Sequence, residues 1–248
     1  MTYADFLLRF LIFPILVLIL CAWALRKGGG IASVDLGYHW RGVGILAIIA
    51  FVWTTPWDNY LIARGVWDSP EDRVVGRILY VPVEEYAFFV LMPIFNGALI
   101  YLLLGLLPKA SSSWRSRQRW QRALAVFLAG VIFCAGLYAL RQQSGTYLGL
   151  TLVWFVPPLL IQWMFDPAAL LRGWRVVALG TLLPSLYFGL VDAYAIQEGI
   201  WEISTTNTTG LSLSHLPIEE LLFFAITSLL LAQGLVLWHS LRSVDPVS

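Results

Sequence analysis

Seven long apolar runs decide most of what this chain can become. A helix that crosses a bilayer needs about 20 mainly apolar residues, and runs of that kind centre near Leu16, Ile49, Leu99, Val131, Phe155, Leu186 and Leu230. In lipid only helices and closed barrels satisfy all their own backbone polar groups. The runs therefore predict helices over about 6–25, 42–62, 82–107, 121–140, 147–165, 175–197 and 217–239. Composition agrees, because 59% hydrophobic and 12% charged residues lie far from the roughly 25% charged residues of soluble domains. The expected fold class is all-α, a multi-pass protein of the lipid bilayer. The first run is followed by Arg26-Lys27-Gly28 instead of a small-residue cleavage site, so it reads as a retained helix.

Two of the runs open in the same way. Pro82-Val83-Glu84-Glu85-Tyr86-Ala87-Phe88-Phe89 returns as Pro217-Ile218-Glu219-Glu220-Leu221-Leu222-Phe223-Phe224. Upstream, Asp58, Tyr60, Gly65 and Trp67 are matched by Asp192, Tyr194, Gly199 and Trp201. Self-similarity held in register over a long window marks a duplicated architecture. The expected division is a first three-helix repeat over residues 1–110, a linker with the fourth helix over 111–145, and a second repeat over 146–248. Pro14 and Pro157, inside the first and fifth runs, agree with that pairing. The third and seventh helices are four apart, so both run the same way, and the repeats are parallel about an axis along the membrane normal. Ser111-Ser112-Ser113-Trp114-Arg115 reads as the joint between them, and Gly28-Gly29-Gly30 as a flexible turn.

Orientation follows from the basic residues, which accumulate in cytoplasmic loops. Eleven of the sixteen, with the stretch from Lys109 to Arg122 as the strongest anchor, fall on one side. That places the N-terminus outside, the C-terminus in the cytoplasm, and the paired glutamates toward the outer leaflet.

Several functions are set aside by what the sequence lacks. A net charge of +1 gives no reason to expect nucleic acid. Cys21 and Cys134 lie within apolar runs and behave as small hydrophobes. No glycine-rich dinucleotide fingerprint and no Cys/His cluster of metal-ligand spacing is present, so neither cofactor nor metal is expected, and His39, His215 and His239 read as interfacial residues near helix ends. The only lysines, Lys27 and Lys109, fall in loops and offer no intramembrane amine for a retinal Schiff base. Asn207-Thr208-Thr209 fits a glycosylation acceptor but reads better as a polar turn.

What remains is the acids. Proline at the first helical position and carboxylates in the first turn suit any helix N-terminus. That does not explain why each pair is followed by two phenylalanines and accompanied by an aspartate. Ionisable groups within a membrane are expensive and point to function, so Asp58, Glu84, Glu85, Asp192, Glu219 and Glu220 are the catalytic candidates, expected to meet at one depth. Residues three and four apart share a helix face, which sets each glutamate pair over Phe88 and Phe89 or over Phe223 and Phe224. A carboxyl group among aromatic rings has its charged form desolvated and persists as an acid. Aromatic faces also attract cations, so Trp57, Tyr60, Tyr86, Phe88, Phe89, Tyr194, Phe223 and Phe224 are candidates for stabilising a carbocation, or else simply face lipid.

Duplicated P-x-E-E-x-x-F-F segments, each preceded by an aspartate-bearing helix, resemble the membrane-integral, non-flavin lycopene cyclases of the CarR type, in their fused two-repeat form. The resemblance runs from the first helix to the seventh. It places the family's acidic motif on Glu84, Glu85, Glu219 and Glu220, and its aspartate-bearing helices on Asp58 and Asp192. It implies redox-neutral cyclisation of lycopene or a related acyclic carotenoid to β-type rings, through γ-carotene to β-carotene, with no cofactor. The implied partners are the carotenoid, the bilayer and other membrane enzymes of carotenoid synthesis. The copies differ where Asn59 faces Ala193, Tyr86 faces Leu221, and Pro70-Glu71-Asp72-Arg73 faces Asn207-Thr208-Thr209-Gly210. Two alternatives stay open. One is a UbiA-like magnesium-dependent polyprenyl transferase using Asp68, Glu71 and Asp72; the other is a proton-coupled transporter with paired carboxylates in parallel repeats.

Overall fold

The computed structural model describes residues 1–31, 34–107 and 118–242; the Ser111–Arg115 joint lies outside them. The helices are α1 (Tyr3–Lys27), α2 (Leu36–Ala63), α3 (Val83–Leu106), α4 (Gln118–Ala139), α5 (Thr146–Phe165), the short α6 (Pro167–Arg172), α7 (Trp174–Gln197) and α8 (Ile218–Arg242). Seven of them are long and apolar enough to cross a membrane, and the protein is an all-α polytopic membrane protein. The starts of α1 and α2 lie earlier than the apolar runs indicate, for reasons the caps supply. α1 begins at Tyr3 because Thr2 and Asp5 form a capping box, and α2 begins at Leu36 because the Asp35 side chain accepts the Tyr38 N–H at 3.0 Å. The extra helix α6 is capped in the same manner by Asp166 on Ala169 N–H.

Proline in these helices leaves traces. Pro14 cannot donate to the carbonyl of Phe10, and the turn before it, Leu8–Ile12, widens to π-helical geometry. The freed Phe10 carbonyl accepts from the Tyr187 hydroxyl of α7 at 2.7 Å, which is how a membrane helix tolerates the break.

α3 and α8 form the centre. α1 and α2 pack on α3, α5 and α7 pack on α8, and the two sets meet where α3 touches α7 and α8 and α2 touches α8. Small residues permit the close approaches: a Cβ at Gly97 would collide with Val43, and one at Gly42 with Trp238. α4 lies at the rim against α5 with little of its surface covered.

At one end the chain builds three short two-stranded ribbons, β1 (Trp67–Asp68) with β4 (Glu202–Ile203), β2 (Arg77–Ile78) with β3 (Val81–Pro82), and β5 (Ser212–Leu213) with β6 (Leu216–Pro217). Asp68 pairs with Glu202 in the first. These residues sit at corresponding places, one after each matched tryptophan, so their antiparallel pairing is what a twofold axis between them requires. The other two ribbons are matching hairpins, with Leu79 and Ser214 both at positive φ, 57° and 58°.

Candidate active site

α2 and α7 end identically. Gly65 and Gly199 take left-handed conformations, φ 65° and 64°, and the next N–H groups close back on the last turns, Val66 to Leu61 and Ile200 to Ala195, both at 3.0 Å. Glycine is needed at both because a side chain disfavours that backbone. The reversal brings each following tryptophan back over its helix: Trp67 Nε1 donates to Asp58 Oδ1 at 2.8 Å, and Trp201 Nε1 donates to Asp192 Oδ1 at 2.9 Å. Both aspartates are buried, and their Oδ2 atoms accept no hydrogen bond among the described residues.

Adjacent residues on a helix point about 100° apart, and the glutamate pairs divide accordingly. Glu85 and Glu220 face inward. The hydroxyl of Tyr3, in the first turn of α1, donates to Glu85 Oε2, and Tyr147, in the first turn of α5, is hydrogen-bonded to Glu220. Glu84 and Glu219 turn away and hold loops: Glu84 Oε1 accepts the Val75 N–H and Glu219 Oε1 the Thr209 N–H, both at 2.7 Å. The layer of six acids expected from the sequence is thus four acids around a void and two loop anchors, all buried.

The void measures about 50 Å³ and is lined by both halves, with Asp58, Glu85, Asp192 and Glu220 all in its lining. Aromatic rings close it. Trp57 stacks on Phe223 across the halves at 5.3 Å and 11°, Phe88 meets Phe224 edge-on at 6.3 Å, and Tyr3 packs on Trp201 at 4.9 Å. The ion pairs of the described residues, Arg73–Asp72, Arg77–Asp68, Arg172–Asp166 and Arg242–Asp35, all lie elsewhere. Four carboxyl groups lining one small cavity can give a proton at one position and take one at another. No group of three His, Cys, Asp or Glu residues among those described is arranged to hold a metal ion.

Of the expected aromatic set, Trp57, Phe88, Phe223 and Phe224 line the void. Phe89 is buried one step behind it, packing on Tyr86 at 5.9 Å. Tyr86 faces the first hairpin, where its hydroxyl donates to the Ile78 carbonyl at 3.0 Å. Tyr60 and Tyr194 are 46% and 40% exposed and lie outside the lining. Besides Ile203, the lining residues that sequence reasoning did not assign to the site are Tyr3, Trp67, Tyr147 and Trp201. A signal existed for all four: the tryptophans were already matched marks of the duplication, and Tyr3 precedes Pro14 as Tyr147 precedes Pro158, by eleven residues in each copy. Asn207 is buried, its side-chain amide donating to the Gly65 carbonyl at 2.9 Å, while its own carbonyl accepts the Tyr147 N–H at 3.0 Å. It is a structural turn residue joining the halves, not an open glycan acceptor. Asp68 is committed to Arg77 at 2.7 Å, and Asp72 lies 4.0 Å from Arg73.

An apolar helical bundle with paired acids meeting under its loops is the class that geometry defines. The chain belongs to the non-flavin lycopene cyclase family: the family model described as lycopene cyclase matches residues 6–104 and 144–238. It is 41% identical over 197 residues to the lycopene beta-cyclase of Halobacterium salinarum, covering 79% of this chain and 81% of that one. It is also 36% identical over 203 residues to the bifunctional lycopene cyclase/phytoene synthase of Phaeosphaeria nodorum, and 33% identical over 204 residues to that of Aspergillus oryzae. Those matches cover 76% and 79% of this chain but 34% of each fungal protein. No solved structure matches.

Proposed function

We propose that this protein closes the acyclic end groups of lycopene into β-type rings by proton transfer within the four-acid chamber. Family membership supports the coarse activity, cyclisation of lycopene. The observation that carries the finer reading is the convergence of Asp58, Glu85, Asp192 and Glu220 on one ring-lined void, with no ion pair to any of the four among the described residues. A protonated carboxyl group adds its proton to the terminal trisubstituted double bond and leaves a tertiary cation. The neighbouring double bond attacks that cation, closing a six-membered ring and moving the charge into it. A carboxylate then removes a ring proton, so one proton enters, one leaves, and no electrons are exchanged.

Glu85 and Glu220 are the proton donor and acceptor in this reading, each oriented by a tyrosine. Asp58 and Asp192, each fixed through one oxygen by an indole N–H, tune and relay through the other. Trp57, Phe88, Phe223 and Phe224 shelter the cation. One ring gives γ-carotene, and repetition at the other end gives β-carotene. Residues 1–110 and 146–248 act as two repeats joined by 111–145, with the N-terminus outside and the C-terminus in the cytoplasm, beside other membrane enzymes that supply or consume the carotenoid. The test is chromatography of pigments formed by the purified protein in lipid with lycopene and no added flavin or nicotinamide. Ringed products are expected; unchanged lycopene overturns the proposal.

A further inference from the structure

The chamber is small. An engineered cavity of about 150 Å³ accommodates benzene, and this one offers about 50 Å³, so little beyond the tip of a long substrate can sit in it, and only after some opening of the rings. The remaining length must lie elsewhere. Along α2, the residues Asp58, Thr54, Phe51, Ala47, Gly44 and Trp40 recur at alternating spacings of four and three, which places them on one helix face. That stripe descends from the chamber's own aspartate over roughly 27 Å at 1.5 Å per residue, close to the ~30 Å of a hydrocarbon core.

From Phe51 to Trp40 the stripe is one wall of a groove of about 460 Å³, with Val90 and Ile94 of α3 as the other. At the top, Phe51 packs against Tyr86 and Phe89 at 5.7 and 6.4 Å, directly beside Glu85 and Phe88 of the chamber lining. Val43 and Ala47 are buried at its base, while Ile48 and Val90 on its rim are exposed, so it opens sideways toward lipid. Apart from the Trp40 indole N–H, no lining side chain can hydrogen-bond. An apolar trough of roughly 17 Å along α2, at 1.5 Å per residue over residues 40–51, on the helix face that carries Asp58, matches a length of stiff, heteroatom-free hydrocarbon.

We propose that the α2–α3 groove holds the conjugated chain of the substrate while its end group occupies the chamber, so that the carotenoid enters from the bilayer and lies along α2. The inference rests on the cyclase reading of the chamber. Gly44 provides the test, because a side chain added there meets open space and fills the groove without a backbone clash. Gly44→Phe is compared with wild type on lycopene and on a truncated acyclic polyene that has the same end group on less than half the chain. A chain of that length stops short of residue 44, about 21 Å from Asp58.

The expected result is a rise of about tenfold or more in the KM for lycopene with wild-type turnover of the short polyene, which also shows that the variant is folded. Gly44→Ala and Gly44→Leu should grade the lycopene effect by size. Equal response of the two substrates at every size, including no response, overturns the groove assignment and leaves its occupancy to a lipid acyl chain. Failure of the wild-type protein to convert either substrate instead overturns the cyclase reading, so the two failures are distinct.

Discussion

At the end of the bundle away from the chamber, α2 and α8 are tied together by groups that satisfy one another. Asp35 accepts from Arg242 at 2.5 Å, Tyr38 and Trp238 stack at 4.8 Å, and the Tyr38 hydroxyl and the Trp238 indole each donate to the other's backbone carbonyl at 2.8 and 2.9 Å. Beneath them the fully buried His39 bonds through Nε2 to the Gly97 carbonyl at 2.9 Å and through Nδ1 to His239 Nε2 at 3.0 Å. A carbonyl only accepts, so His39 carries its proton on Nε2 and accepts from His239. At the chamber end the same helix presents Asp58, which has an indole on one oxygen and, among the described residues, no hydrogen-bond donor on the other. Burial of an acid with incomplete partners costs stability, whereas the lock at the far end lowers the free energy of the fold. The contrast separates the residues that hold the bundle from those kept available for chemistry.

The largest effect should come from removing the transferable proton. Glu85→Gln or Glu220→Gln keeps size and hydrogen-bonding capacity, and loss of general acid–base action typically costs 10²–10⁴-fold. Ring formation from lycopene at matched protein level in membranes should fall by that much for either variant, with the protein still inserted. Because both glutamates line one chamber, each single change should suppress both the first and the second ring. Half-normal yield from either variant would mean that the halves work as separate sites and would break the comparison.

A smaller effect is expected from their neighbours. Glu84→Ala and Glu219→Ala leave the N–H groups of the exposed loop residues Val75 and Thr209 to water, a loss of about 0.5–1.5 kcal/mol per hydrogen bond. Thermal unfolding in detergent should shift downward, while turnover per folded molecule stays within a few-fold of wild type. Loss of activity as severe as for Glu85→Gln, without loss of stability, would return these two acids to the catalytic set.

This division between adjacent acids marks the limit of what the sequence conveys. The spans were legible because about 20 apolar residues leave the backbone no alternative in lipid, and the duplication was legible from Asp58, Trp67 and the glutamate pairs alone. Which glutamate of each pair faces inward depends on the roll of α3 and α8 about their axes. That roll is set by contacts from the surrounding helices, which no local spacing records. Tyr3 reaches Glu85 across 82 residues of sequence, and its helix start was obscured because Tyr3, Ala4 and Asp5 do not extend an apolar run. Trp67 and Trp201 were visible as repeated residues, but their role as donors arises from the reversal at Gly65 and Gly199, a backbone event that indole chemistry does not announce.

The smallest effect should come from the far end, and its sign is set by pH. The Tyr38 N–H and then the Arg242 guanidinium hold the Asp35 carboxyl below its ordinary value of 3.8. A carboxylate with a depressed folded-state pKa contributes stability that is fully present above the unfolded value and is lost as pH falls through the folded one. Asp35 and Arg242 are both about half exposed, so solvent and salt screen the pair and its contribution is slight. Asp35→Asn should therefore lower the thermal midpoint slightly near neutral pH, more at low than at high ionic strength, with the difference from wild type vanishing once the pH falls below the depressed folded-state value. Ring formation should not change, because Asp35 caps α2 at the end opposite its chamber aspartate, roughly 35 Å away along the helix at 1.5 Å per residue. A variant that keeps its midpoint but loses cyclisation would show that the two ends communicate, and that the lock does more than hold α2 against α8.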